Sequence, residues 1–283
     1  MNIAVVIIHF GKLSVTQECM AGLQKFEKNI FQIIIVNNSE ESVSVKDFGG
    51  KKNIIVLSKR ENVGFARGVN IGIRYGLEHQ VEAVLLLNND TFINKPFIAP
   101  LSDALLNDEI GIASPVIQFE KNDRTIFDLG GYYNTWFGRT CHKEVTHLPK
   151  EKYNFPDYVS GCCMLISSAV FRDIGYFDEQ FFLYYEDVDF CIRAKESGYK
   201  IATVTQSLLY HLLSKSVGKS SYVSTYHQIR SAILFGRKYF SSFPKNILNK
   251  FFIIAQTFLF IKANPKTGLG GVKALLTLSK ENR

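Results

Sequence analysis

FARGVNIGIRYGLEHQVEAVLLLNNDT, residues 65–91, contains the alternation that sets the fold class. Residues 65–78 carry a helical pattern. Residues 83–87 are a short, wholly apolar run, of the length and character of a buried strand. Upstream the same alternation repeats. Residues 3–8, 31–36 and 54–57 read as strands rich in β-branched residues, and residues 13–26 read as a helix between the first two. Strands alternating with helices mean βαβ units and a mostly parallel sheet covered on both faces. Ligands on such sheets bind beyond the carboxyl ends of the strands. The residues that follow each strand are therefore the ones to read for chemistry.

Downstream, residues 119–158 are less regular and rich in Gly, Tyr, Asn and Asp, which suggests a loop or small hairpin over the binding edge. Residues 175–199 read as a turn, an acidic aromatic segment and a helix stopped by Gly198, followed by a strand over 200–205. Beyond His211 the composition becomes basic and aromatic. The expected organisation is an α/β body over 1–211 and a basic helical region over 212–283.

Charge supports that division. Residues 212–283 hold twelve Lys or Arg and one acidic residue, Glu281, a net +11 that leaves −4 on residues 1–211 of a chain with +7 overall. Such an asymmetric tail calls for an anionic partner, either a membrane surface or nucleic acid. Within it, FFIIAQTFLFI (251–261) lies between Lys250 and Lys262. Eleven residues are too few to span a bilayer, which takes about 20. An interfacial helix is one reading; a helix packed on the body, or in a homodimer contact, is the other. The five cysteines have neither disulfide-framework nor zinc-site spacing, and the first residues lack a signal peptide's charged start and cleavage site. A reduced, cytoplasmic protein is expected.

The strand ends carry polar residues. His9 follows the first strand and Asn37-Asn38-Ser39 the second; they suit a base and ribose, or simply a turn. ENVGFARGVN (61–70) offers the amides of Asn62 and Asn70, glycines that allow close backbone approach, and Arg67 to offset phosphate charge. The same residues also suit a capped helix start. Asp90, after Asn88 and Asn89, is a carboxylate held at the end of a buried strand. It can bind a hard divalent cation that also takes diphosphate oxygens, or it can cap the helix near Pro96.

GYFDEQFFLYYEDVDFC (175–191) sets Glu186, Asp187 and Asp189 behind five consecutive aromatic or leucine residues. Acidic residues favour a helix N-terminus through its dipole. An apolar wall also raises a carboxylate's proton affinity, as a general base requires. His211, after the last strand of the body, is a candidate metal ligand or a structural histidine.

In order, VVIIHF, IIIVNNSE, ENVGFARGVN, LLLNNDT, YVSGCCMLI, GYFDEQFFLYYEDVDFCIRAKESGYK and LYH resemble the family 2 glycosyltransferases over residues 3–211. The likeness is to the bacterial rhamnosyltransferase branch that builds surface polysaccharides such as O-antigen. The resemblance implies a GT-A fold, inverting transfer and a divalent cation, Mg2+ or Mn2+. By position, His9 and Asn38 line the nucleoside pocket, with Asn62, Gly64, Phe65, Arg67 and Asn70 nearby. Asn88, Asn89 and Asp90 fall in the diphosphate and metal motif, and His211 completes the metal site. Gly161 and Cys162 border donor and acceptor. Asp187 is the general base and Glu186 orients the acceptor. Two positions depart from the family pattern: Asn37 and Asn88 stand where Asp is common, leaving fewer carboxylates for the cation.

The expected reaction is a single displacement at the anomeric carbon of a nucleotide sugar, dTDP-rhamnose first and a UDP-hexose second. The acceptor is a lipid-linked oligosaccharide hydroxyl at the inner face of the plasma membrane. An oxidoreductase is disfavoured because no GxGxxG follows the first strand. A nucleic-acid-binding protein would use the basic tail but has no need of Asp90 and Asp187 at strand edges.

Overall fold

The computed structural model describes residues 1–59, 61–212 and 221–280. The chain opens with β1 (Ile3–His9), α1 (Leu13–Phe26), β2 (Gln32–Asn37), β3 (Ile54–Ser58), α2 (Phe65–Glu78) and β4 (Ala83–Asn88). These strands pair in parallel in the order β3-β2-β1-β4. Every residue of β1 is buried, because helices cover both faces of the sheet. Ala4, Val6 and Ile8 enter the core under α2, while Ile3, Val5 and Ile7 enter the core under α1. The two-residue period of a strand sends alternate side chains to opposite faces. A sequence apolar at every position is therefore what a strand buried on both faces requires.

The second half extends the sheet. It comprises β5 (Thr91–Phe92), α3 (Ile98–Ala104), β6 (Ile110–Lys121), β7 (Arg124–Tyr133), β8 (Thr140–Val145), β9 (Tyr153–Asn154), β10 (Cys163–Ser167), α4 (Ser168–Ile174), α5 (Glu186–Glu196) and β11 (Lys200–His211). β10 lies antiparallel between β4 and β6, and β11 runs parallel to β6. The sheet is thus mostly parallel with one reversed strand inside it. Two segments are more regular than the sequence pattern suggests. The Gly- and Tyr-rich stretch expected as a loop or small hairpin forms β7 and β8, which curl off β6. The strand expected over 200–205 continues to His211 past an irregularity between Val204 and Leu208. That continuation lets Tyr210 and His211 pair with Phe92 and Thr91.

Three helices complete the described chain: α6 (Tyr222–Tyr239), α7 (Lys245–Ala263) and α8 (Pro265–Lys280). The region expected to begin at Leu212 passes through 213–220, which lie outside the described residues. Ile229, Ala232 and Phe235 of α6, Ile253 of α7 and Ala274 of α8 share the core of the α2 side of the sheet. Among the described residues, no helix is long and apolar enough to cross a membrane.

Candidate functional site

The C-terminal ends of β1, β2 and β4 meet the ends of β11 and the N-terminus of α5. Two cavities open there. One, of about 660 Å3, is lined by residues 10–14 after β1, by Asn38 and its neighbours after β2, and by Asn62. The other, of about 580 Å3, is lined by Phe65, Asn88, Gly161, Cys162, Glu186, Asp187 and His211, with β8 and the C-terminal helices on its far side.

The first cavity is braced by its own amides. Asn38 Nδ2 donates to Asn62 Oδ1 and to the Gly64 carbonyl, both at 3.1 Å, and Asn38 Oδ1 accepts from the Val63 amide at 3.0 Å. Gly64 has φ +86°, and a Cβ there would lie 2.6 Å from the Phe182 carbonyl oxygen, so only glycine fits. His9 is fully buried behind this wall, its Nδ1 2.7 Å from Thr16 Oγ1 and its Nε2 without a partner. Burial lowers the His9 pKa, against a weaker opposing pull from Glu41. Asn89 donates to Thr16 Oγ1 at 2.9 Å and so ties the β4 end to α1.

Two residues of the 61–70 segment face elsewhere. Asn70 spends its amide on the Phe177 backbone and on Glu179. Arg67 points to Glu179, at 3.8 Å. Both fasten α2 to the segment that leads into α5, rather than turning into either cavity.

Asp90 Oδ1 and His211 Nε2 are 3.0 Å apart, and the Leu212 amide donates to the Asp90 carbonyl at 3.0 Å. Burial disfavours a charge on His211, but Cys162 and Asp90 outweigh it and raise its pKa to about 11. With a divalent cation in place of the His211 proton, a carboxylate oxygen and an imidazole nitrogen side by side fit a hard ion that keeps waters and takes oxygens from a diphosphate. Among the described residues, no group of three or more His, Cys, Asp or Glu could hold a metal by themselves. Such a cation would therefore depend on the substrate for the rest of its shell.

Glu186 and Asp187 open α5. Tyr184 and Tyr185 before them both adopt φ +68°, a left-handed conformation that costs about 1–3 kcal/mol per residue and clusters at functional sites. These two residues swing the chain so that the helix begins at the cavity. Asp187 Oδ2 accepts from the Gly161 amide at 2.9 Å and its Oδ1 from the Val188 amide at 2.8 Å. Desolvation raises the Asp187 pKa despite these bonds and the nearby His142. Glu186 is 5% exposed and its Oε2 has no partner. Burial and then Asp187 drive its pKa well up, which favours the protonated form. Asp189 belongs to the framework: its buried carboxylate meets Arg193 Nε at 2.9 Å, Tyr239 OH at 2.8 Å and Lys238 Nζ at 2.6 Å.

Several lining residues carry no motif. His142 of β8 pairs with Asp128 of β7, Nδ1 to Oδ2 2.7 Å, and its ring meets Tyr158 edge-on. A Cβ at Gly131 would lie 2.2 Å from the Tyr158 ring, so β7 must pass close there to admit it. Gln228 of α6 and Phe252 and Gln256 of α7 form the opposite wall. Gln256 had a readable signal, an amide alone in an apolar run. His142 had none.

The chain matches the family model described as "Glycosyltransferase like family 2" over residues 1–231. It is 28% identical over 257 residues to the low-salt glycan biosynthesis hexosyltransferase Agl10 of Haloferax volcanii, covering 85% of this chain and 77% of that protein. It is 27% identical to the dTDP-rhamnosyl transferase RfbF of Shigella flexneri, covering 83% and 80%. A crystal structure of GalNAc-T7 with UDP, GalNAc and Mn2+ superposes with a TM-score of 0.64 at 15% identity, covering 82% of this chain and 48% of that one. The fold they share is GT-A.

Proposed function

The chain belongs to the family 2 glycosyltransferases, and on that premise we propose that it transfers a sugar from a nucleoside diphosphate to an acceptor hydroxyl with inversion. One observation carries the reading: Asp187, with raised proton affinity, and His211, paired to Asp90, line the same cavity. Asp187 is the general base. The Gly161 amide fixes its Oδ2, which leaves the carboxylate aimed by a rigid contact. Glu186, whose buried Oε2 has no protein partner, bonds to an acceptor hydroxyl and orients it. His142, held by Asp128, limits the rise in the Asp187 pKa. Phe65, Asn88, Gly161 and Cys162 border the place where donor and acceptor meet.

The nucleoside lies in the neighbouring cavity beside Asn38, Asn62 and Gly64, against the wall backed by His9. Asp90 and His211 would hold a divalent cation, Mg2+ or Mn2+, which would offset charge on the departing diphosphate. The donor assigned is dTDP-rhamnose, supported by the likeness to a dTDP-rhamnosyl transferase, with a UDP-hexose second. The acceptor assigned is a lipid-linked oligosaccharide of surface-polysaccharide synthesis, met at the inner face of the plasma membrane. The net +11 charge of residues 212–283 supports that placement.

A melting-temperature screen against dTDP, UDP, GDP and ADP with and without Mn2+ tests the donor half. A ligand at 100 times its dissociation constant adds about 2.7 kcal/mol. dTDP should give the largest shift, and only with the metal. No shift from any nucleoside diphosphate would remove the transferase reading.

A further inference from the structure

One helix has two unlike faces. On α7, Ile247, Phe251, Ile254 and Phe258 follow a spacing of four, three and four residues, so they fall on a single side. They are 40%, 68%, 52% and 70% exposed. Half a turn away, Phe252 and Gln256 line the cavity that holds Asp187, and the buried Gln256 Oε1 has no partner there. Near the start of α7, Phe243 and Trp136 are also exposed, with Lys245 Nζ 5.6 Å from the Trp136 ring centroid.

The charge around this stripe has one sign. Lys245, Lys250 and Lys262 lie on the same helix, Lys266 follows it, and no Asp or Glu occurs between residues 222 and 280. Next to the stripe an apolar cavity of about 480 Å3 opens between α6, α7 and α8, with Arg237 and Lys250 in its wall. An exposed apolar face flanked by lysines is the composition of a helix lying in a lipid interface. A second copy of the chain fits less well, since a two-fold contact would bring two sets of lysines together with no Asp or Glu of residues 222–280 to offset them.

We propose that α7 docks on an anionic bilayer surface through this stripe, so that the helix resting on lipid is also a wall of the acceptor cavity. The cavity then stands about 10 Å, one helix diameter, from the lipid. An acceptor carried by a membrane anchor reaches Asp187 past Phe252 and Gln256. This last step rests on the transferase reading; the docking itself does not.

The test is sedimentation of the full chain with phosphatidylcholine vesicles, with and without phosphatidylglycerol. The expected result is binding to the anionic vesicles that weakens with salt. The doubly substituted F251E/F258E chain should bind at least about tenfold less. Its melting temperature and its stabilisation by dTDP or UDP should not change, because both side chains are exposed and outside the cavity. The proposal is overturned if the unaltered chain ignores anionic vesicles or if F251E/F258E binds them equally. It is also overturned if light scattering finds a dimer that F251E/F258E splits, which would make the stripe a subunit contact. Vesicle binding without any nucleoside diphosphate binding would instead remove the transferase reading and leave the docking standing.

Discussion

Asp90 and His211 are 121 positions apart in the chain, yet their side chains meet at 3.0 Å. The contact exists because β11 runs the full depth of the sheet and its last two residues pair with β5, which directly follows Asp90. Strand pairing therefore builds the candidate cation site.

Asp90→Ala should abolish metal-dependent donor binding and turnover together, and His211→Ala should weaken both. Chelation should mimic Asp90→Ala in the unaltered protein, since the remaining ligands would come from diphosphate and water. Full transfer activity in excess EDTA would take the cation out of the mechanism.

Asp187→Asn keeps the shape of the side chain and removes its basicity. Turnover should drop at least about a hundredfold, with nucleotide-sugar affinity near normal. Glu186→Gln should be milder, because an orienting contact changes while the base remains. If Glu186→Gln is inactive while Asp187→Asn turns over normally, the two roles are exchanged.

The pH profile follows from the same environment. A base must be deprotonated, and desolvation raises the Asp187 pKa. The acid limb of kcat/KM should therefore lie above the usual carboxylate range. Burial works against charge on His142, but the bond to Asp128 raises its pKa overall, and its positive charge holds the Asp187 pKa down. His142→Gln should move the acid limb to higher pH. An unmoved limb would show that His142 has no electrostatic hold on the base.

Stability should divide the three acids of α5. The folded-state pKa of Glu186 is raised, so its contribution is most favourable below its unfolded value and is lost as pH rises through the folded one. At neutral pH and above, Glu186→Gln should melt higher than the unaltered chain, and the gap should close in acid. Asp189→Ala should instead lose about 3–5 kcal/mol, because it strips a buried carboxylate from Arg193, Lys238 and Tyr239. Denaturant unfolding across pH separates the two cases.

Gly64→Ala joins a left-handed backbone to a contact 2.6 Å from the Phe182 carbonyl. The chain should lose about 1–3 kcal/mol, and the Asn38–Asn62 wall should loosen with it. An unchanged melting temperature would mean that the loop relaxes freely.

Much of the fold was legible locally. The helices over 13–26 and 65–78 fall where their apolar spacing puts them, and the strand over 83–87 gains only Asn88. The helices bury one face and the strand both, each in its own short-range pattern, so that pattern needs no distant partner to be read. The segment 119–158 was harder. β8 alternates weakly and is mostly exposed; it is a strand because β7 supplies its hydrogen bonds.

Local residue order specifies the α/β alternation, the polar residues at the strand ends, the acidic start of α5 and the basic character of the tail. Those are properties of neighbouring residues, and neighbours suffice to read them. Which of those residues act together is settled by packing. It turned Asn70 and Arg67 toward Glu179, buried Asp189 as a fastening and set His142 on Asp128. It also gave α7 one face for the cavity and another for the surface. Each of those outcomes depends on a partner on another element, and chain spacing says nothing of a contact that only packing creates.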